Sequence, residues 1–397
     1  MNSEDRRKAR YLRRKAKRYE KREKRFGAFD DFDNVFTFDH LWESHKKCLR
    51  GVGWKTSVQK HRNRPITNVA TLYIQLHNGT YKSKGFYLFT IVERGKLRHI
   101  KSVHISERVV QRCLCDYSLV PILSASMIYD NGACIKGKGI DFAKDRLNCH
   151  LQRYFREHKS NEGYALVIDY SSFFDRILHD KLKEIIRRYY SDERIIRLYE
   201  HFIDMFGEIG LGLGSQVSQI SALRYPGALD QSVKSDLHVK YYARYSDDSY
   251  LIHESKDYLH FCKRKIEEFC AEYGIKLNPK KTQIVKLSRG IPFLKHRFVL
   301  LDTGEVLRLP NEESEKRMRG KIRVFARWLV EGIITFEAIE NSNVSWASHL
   351  LKSNAHHKLR NMQKYYTEKI IKGALQKWQL LNSTPTSTKK ETNTSIL

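Results

Sequence analysis

A chain of 397 residues, 41% of them hydrophobic, is long enough for two or three structural units and has the composition of a globular protein. No apolar run approaches the roughly 18–20 residues that cross a bilayer, and the charged N-terminus excludes a secretory signal, so a cytoplasmic protein that engages no membrane is expected. The formal charge of +28 is costly to keep compact unless a polyanion neutralises it, which points to nucleic acid bound in a salt-sensitive way.

In chain order, residues 1–27 are dominated by Arg and Lys, from Arg6-Arg7-Lys8 to Lys24-Arg25. They read either as a basic helix lying on a phosphate backbone or as a solvated arm. Residues 36–49 have the spacing of an amphipathic helix. Two strand-like segments, 87–92 and 97–100, flank Glu93-Arg-Gly-Lys96 and predict a hairpin, with a helix over 106–119 after it. Lys96 and Arg98 on this hairpin could hold a triphosphate, or could simply be surface charge. The segment 131–139 is a glycine-rich basic loop before a helix over 141–157. Small residues and cations there suit phosphate approach, but the Walker spacing of a nucleotide loop is absent.

An apolar strand over 165–168 delivers Asp169 to its carboxyl end, and a helix rich in Leu, Ile and basic residues follows from about His179. The segment 210–219 has three glycines in five residues, which lets the backbone come close to a base or sugar, and leads into a predicted helix over 220–234. Within 240–253, aromatic and aliphatic residues flank Tyr245-Ser246-Asp247-Asp248, so two strands with an acidic pair at or near a tight turn are expected. A helix over 256–273, a turn and strand over 274–284, and a further turn and strand over 290–298 come next. Residues from about 311 to 379 are helical in pattern, basic, and punctuated by Trp328, Trp346 and Trp378. The stretch 382–397 is rich in Ser, Thr, Asn and Lys and is expected to be disordered.

Two adjacent carboxylates repel one another unless a cation sits beside them, and a two-metal phosphoryl-transfer centre needs a further acid from another strand. Asp169 supplies it. Taken singly, an Asp after an apolar run is the ordinary place for a helix cap, and an Asp pair between strands is an ordinary solvated turn. The seven cysteines, at 48, 113, 115, 134, 149, 262 and 270, are irregularly spaced, as reduced thiols are and as zinc or disulfide frames are not.

These segments, in this order, resemble the palm and fingers motifs of reverse transcriptases over roughly residues 90–300. The resemblance implies an α+β fold of the right-hand polymerase kind, with fingers, a palm of antiparallel sheet plus helices, and a helical thumb. It lays the chain out as a basic N-terminal arm at 1–27, an N-terminal extension and fingers at 28–163, the palm with the catalytic centre at 164–300, the thumb at 301–380 and a disordered tail at 381–397. Asp169, Asp247 and Asp248 would be catalytic carboxylates holding two Mg2+ ions, for which Mn2+ can substitute, with the backbone carbonyl of Tyr170 completing the shell. Lys281 would protonate the departing pyrophosphate. Lys96 and Arg98 match the fingers cations, and Leu213, Gly214, Ser218 and Gln219 fall on the nucleotide-binding motif. Phe174 would lie beneath the sugar and collide with a 2′-hydroxyl, making DNA the product. Phe293 and Leu294 match the primer grip. The implied partners are an RNA template, a DNA primer and product, and dNTPs, with a dedicated non-coding RNA or accessory protein as a further candidate.

The chain departs from group II intron and retroviral enzymes at two positions. Those enzymes have Gln before the glycine matched by Gly214 and Pro after the serine matched by Ser218, where this chain has Leu213 and Gln219. In this it is more similar to the bacterial enzymes of diversity-generating retroelements and of phage defence. With no nuclease motif or maturase-like zinc module after the thumb, it is expected to act with host nucleases or a dedicated non-coding RNA, in antiphage defence. A mutagenic enzyme of a diversity-generating retroelement, a template-independent or self-primed polymerase, and a non-catalytic RNA-binding protein on the same scaffold are the alternatives.

Overall fold

Among the described residues, 3–93 and 95–383 of a computed structural model, the strands form three sheets. The molecule divides into two compact units, Met1–Leu147 with Gly163–Val285, and Asn148–Glu162 with Lys286–Leu397.

The first unit carries two sheets. β1 (Phe86–Glu93) and β2 (Lys96–Val103) form the expected hairpin, longer on its second arm than the sequence suggests. The other sheet has four strands in the order β4 (Tyr241–Tyr245), β5 (Asp248–His253), β3 (Tyr164–Ile168), β6 (Gln283–Lys286). β3 and β4 both run antiparallel to β5. Ala165 to Ile168 are all buried, so the unbroken apolar run reflects a strand covered on both faces rather than an alternating one.

Helices pack around this sheet with a core that includes Phe36, Leu41, Leu114, Leu119, Leu166, Tyr199, Phe202, Leu251 and Leu259. The helix Phe38–Cys48 starts where Thr37 Oγ1 accepts from His40 N, at 3.1 Å. Helices fall where the sequence reading placed none, among them Thr56–Arg62, Glu193–Asp204 and Pro65–His77, the last opened by a proline whose missing N–H costs nothing at that position. The helix expected over 106–119 is Ile105–Leu114 running into a π turn, Cys115–Leu119. The single helix expected over 220–234 is two, Gln216–Arg224 and Gly227–Ser235, divided at Pro226, whose ring removes a donor and clashes with the preceding turn. The basic N-terminal residues form a helix, Ser3–Phe26.

The second unit holds a three-stranded antiparallel sheet, β7 (Ile291–Phe293), β8 (His296–Leu300) and β9 (Val306–Pro310), of which β9 was not anticipated. Helices Glu312–Val330, Phe336–Leu351 and His356–Ser383 follow. Met318, Ile322, Phe325, Leu329, Ile339, Met362 and Ile370 give them a core of their own, with Trp328 and Trp346 against it and Trp378 exposed. The expected disorder over 382–397 falls mostly on residues 384–397, which lie outside the described residues. Among the described residues no helix is long and apolar enough to cross a membrane.

Candidate active site

The register of the central sheet brings the acids together. Ile168 pairs with Ser249 in the β3–β5 ladder, so the next step sets Asp169 across from Asp248. Tyr245 pairs with Asp248 in the β4–β5 ladder, which leaves Ser246 and Asp247 as a two-residue turn. Asp247 is therefore on the turn and Asp248 opens the strand. Ser246 has φ +58, a left-handed conformation that a residue with a side chain rarely takes.

A buried ion pair lies under this turn. Arg244 and Asp230 are wholly buried, with Arg244 Nη2 at 2.6 Å from Asp230 Oδ2, and Tyr242 Oη donates to Asp230 Oδ1 at 2.6 Å. The same guanidinium donates to the carbonyls of Ser246 at 3.0 Å and Leu223 at 2.8 Å. Its backbone exchanges hydrogen bonds with Asp130 and Gly132, which ties the start of the glycine-rich basic loop to the outer edge of β4.

Asp169 is buried and held from three sides. Asn278 Nδ2 donates to its Oδ1 at 3.0 Å and Lys281 Nζ to its Oδ2 at 2.6 Å. Its carbonyl accepts from Asn278 N at 2.7 Å. Lys281 itself is 59% exposed, and its hydrogen bond to Asp169 raises its pKa, helped by the charges of Asp248 and Asp247. Burial, then the charges of Asp247 and Asp169, push Asp248 up to about 7. Asp247 is raised too, first by burial, with the charge of Asp169 adding to it. Asp247 and Asp248 resist ionising side by side, and together with Asp169 they make a set of hard oxygen donors suited to divalent cations. Among the described residues, no three His, Cys, Asp or Glu side chains are arranged to hold an ion as they stand; the Lys281 ammonium supplies the cation at Asp169 instead.

The other predicted residues lie as follows. Tyr170 has its ring in the core and its backbone bridged to Leu277. Phe174 lies on a 3-10 turn, Phe174–Arg176, and its carbonyl accepts from Leu211 N at 2.8 Å, which draws the glycine-rich segment alongside. Gly210, with φ +85, is needed there, since a Cβ would sit 3.0 Å from the Asp175 carbonyl oxygen. Leu213 is half-buried, and Gly214 comes within reach of β2, a Cβ on it lying 3.8 Å from the Lys101 carbonyl oxygen. Gln219 is exposed, whereas Ser218 is fully buried on the inner side of its helix. Arg98 is exposed on β2; Lys96 opens that strand, its side chain outside the described set. Phe293 and Leu294 belong to the second unit, Phe293 buried and Leu294 on the β7–β8 turn with φ +46. Sequence reasoning missed Asn278, Asp230 and Arg244. An arginine inside the apolar run Tyr241-Tyr-Ala-Arg-Tyr245 was the available signal, because a buried guanidinium demands a buried partner.

Residues 82–298, more than half the chain, match the family described as reverse transcriptase (RNA-dependent DNA polymerase). The chain belongs to the reverse transcriptase family. That family's chemistry is nucleotidyl transfer, and this reverse transcriptase is built of mixed helix and antiparallel sheet. Among solved structures it is similar to apo telomerase from Candida tropicalis truncated of its C-terminal domain, at 19% identity and a TM-score of 0.44, covering 56% of this chain and 54% of that one. Apo telomerase from Candida tropicalis is similar at 16% identity and a TM-score of 0.46, over 80% and 63% of the two chains. Telomerase from Candida albicans in complex with a fragment of telomeric RNA is similar at 12% identity and a TM-score of 0.45, over 75% and 59%. The chain thus spans between about half and two thirds of the length of these telomerases. No curated protein matches it.

Proposed function

We propose that this chain extends a primer with dNTPs on an RNA template by two-metal phosphoryl transfer. The observation that carries the reading is the meeting of Asp169 with Asp247 and Asp248 at one end of the β3–β5 ladder, under a shared field that raises both members of the pair. The three carboxylates, with the Tyr170 carbonyl, would hold two magnesium ions or manganese in their place. When bound, these favour loss of the primer 3′-hydroxyl proton and neutralise the triphosphate. Lys281, kept protonated beside Asp169, is positioned to give its proton to the leaving pyrophosphate. Phe174 bars a 2′-hydroxyl from beneath the sugar. The close approach of Gly210 to the Asp175 backbone holds Leu213 and Gly214 where a nucleotide can lie against main chain.

On this reading residues 28–163 act as N-terminal extension and fingers, 164–300 as palm and 301–380 as thumb, with Lys96 and Arg98 on the triphosphate and Phe293 and Leu294 gripping the primer. The Leu213 and Ser218-Gln219 pattern supports a bacterial enzyme of the phage-defence or diversity-generating groups, and we favour defence. Magnesium-dependent primer extension on an RNA template, abolished in Asp247→Ala/Asp248→Ala, is the test of the activity. Extension without any template would replace this reading with a self-primed polymerase, and a wild-type protein that binds RNA but adds no nucleotide would reduce it to a binding scaffold. Loss of phage resistance on deleting the gene tests the role; adjacent template and variable repeats would point to diversification.

A further inference from the structure

The glycine-rich segment between residues 210 and 215 is anchored at both ends. At its start Gly210 N donates to the Ile177 carbonyl at 2.8 Å, and the Gly210 carbonyl accepts from His179 Nε2 at 2.7 Å. At its end Ser215 caps the helix Gln216–Arg224, its Oγ accepting from Ser218 N at 3.3 Å. Leu213 and Gly214 lie between these anchors, so the main chain they offer to a nucleotide is only as well placed as the anchors are.

The anchor at Ser215 is itself held. Its hydroxyl donates to Gln111 Oε1 at 3.0 Å, and Gln111 Nε2 donates to Glu107 Oε1 at 3.4 Å. The other oxygen of Glu107 accepts from Ser83 Oγ and from Lys84 N, the latter at 3.3 Å. Glu107 and Gln111 stand on one face of helix Ile105–Leu114, and both are buried, as is Ser215. A chain of side-chain hydrogen bonds thus runs from the segment ahead of β1 to the end of the glycine-rich segment. Chemistry fixes its direction. The carboxylate of Glu107 only accepts, so it turns the amide nitrogen of Gln111 towards itself and the amide oxygen towards Ser215. That oxygen draws the Ser215 hydroxyl proton, which leaves a lone pair facing Ser218 N. Burial pushes the Glu107 carboxyl up, and the hydrogen bonds from Ser83, Lys84 N and Gln111 act against it. Apolar side chains of the same size would fill this face of the helix without any desolvation cost. What the polar chain adds is a single orientation.

We infer that Glu107 and Gln111 are positioning residues for nucleotide addition: they orient the Ser215 hydroxyl and so hold Leu213 and Gly214 in the one place where an incoming nucleotide meets them. The nucleotide in this inference rests on the polymerase reading, whereas the positioning rests on the hydrogen-bond chain, and each is tested by its own measurement.

Isosteric exchanges separate orientation from space-filling. Glu107→Gln reverses the neighbouring amide and takes the acceptor away from the Ser215 proton, and Gln111→Glu sets two carboxylates against each other. In extension of oligo(dT) on poly(rA), each should raise KM for dTTP about tenfold, the size of one buried hydrogen bond lost, with kcat little changed. A merely less well folded population would lower kcat and leave KM alone. Glu107→Gln/Gln111→Glu keeps every bond: the amide at position 107 accepts from Ser83 and Lys84 and donates to the carboxylate at position 111, which accepts from Ser215. It should return KM to near wild type. Hydrogen exchange of a peptide covering residues 208–219, measured without nucleotide or metal, should rise in the single variants and fall back in the double. A wild type that extends no primer ends the polymerase reading and leaves the positioning to be judged on exchange. If Gln111→Glu does not fold, Glu107→Gln set against the double variant decides. Wild-type KM and exchange in the single variants, or a double variant no better than Glu107→Gln, would overturn the inference.

Discussion

Asp248 is the residue at which burial and charge act most strongly together. Its carboxyl is raised to about 7 in the folded chain, first by burial and then by its two acidic neighbours, against an ordinary value near 4 when unfolded. Between those values the folded protein holds a proton that the unfolded protein has released, so without divalent ions stability falls as the pH climbs from about 4 to about 7. A thermal melt in EDTA is expected to show the melting temperature dropping across that window, with Asp248→Asn flattening this part of the profile. Magnesium should raise the melting temperature at pH 7.5 and do much less at pH 5, where the proton competes for the same oxygens. An unchanged profile in Asp248→Asn would mean that this carboxyl ionises freely. The three aspartates could be picked out of the sequence because each stands at the edge of a strong strand pattern. Asn278 could not, since a polar residue in Asn278-Pro-Lys-Lys-Thr282 looks like any turn until its amide is seen on Asp169.

The acidic turn depends on the element beneath it, the β4 strand with its buried Arg244. A guanidinium and a carboxylate with no exposure cost several kcal/mol of desolvation each, offset only by close pairing and by satisfaction of the remaining donors. Arg244 meets that condition by reaching Asp230, Leu223 and Ser246 at once. Arg244→Gln alone leaves the buried Asp230 carboxyl without its cation, with the Tyr242 hydroxyl still donating to it, and should cost about 3–5 kcal/mol in a denaturant titration. Asp230→Asn/Arg244→Gln removes both charges and should recover much of that loss. The double variant still lacks the fork that holds the Ser246 carbonyl, so hydrogen exchange of a peptide covering residues 242–251 should rise while exchange in the helices around it stays as in wild type. If exchange in that peptide is unchanged, the turn keeps its left-handed Ser246 without Arg244. At this scale hydrophobic period located the strands and most helices; the division at Pro226 was a local signal that the unbroken period overrode, and the unanticipated β9 was settled by tertiary context. Val306-Leu-Arg-Leu-Pro310 is too short and too mixed to distinguish from loop until β8 is there to pair with it.

For the molecule as a whole, the question is where a charge of +28 is used. Helix Ser3–Phe26 carries thirteen Lys and Arg against four Asp and Glu, about a third of the net excess in a small part of the chain. Among its described side chains Tyr11 and Leu12 are exposed and Phe26, at its end, packs against the core, whereas most helical stability in proteins comes from docking a whole apolar face. Like charges spaced three and four apart repel along the same helix. Both costs disappear when a phosphate backbone lies against it, and neither is met if the arm is only a solubility device. Removing residues 1–25 should therefore weaken binding to a primer–template duplex and flatten its salt dependence by about 0.9 for each phosphate that the arm had neutralised, with a change of about 3 or more if a quarter of the thirteen cations are engaged. Melting temperature should move little, since this truncation keeps Phe26, the residue of this helix that packs against the core, and most of the helix's other described side chains are exposed. An unchanged salt slope in the truncated protein would return the arm to the status of solvated charge and leave the remaining excess, spread over residues 27–397, to carry nucleic-acid binding alone.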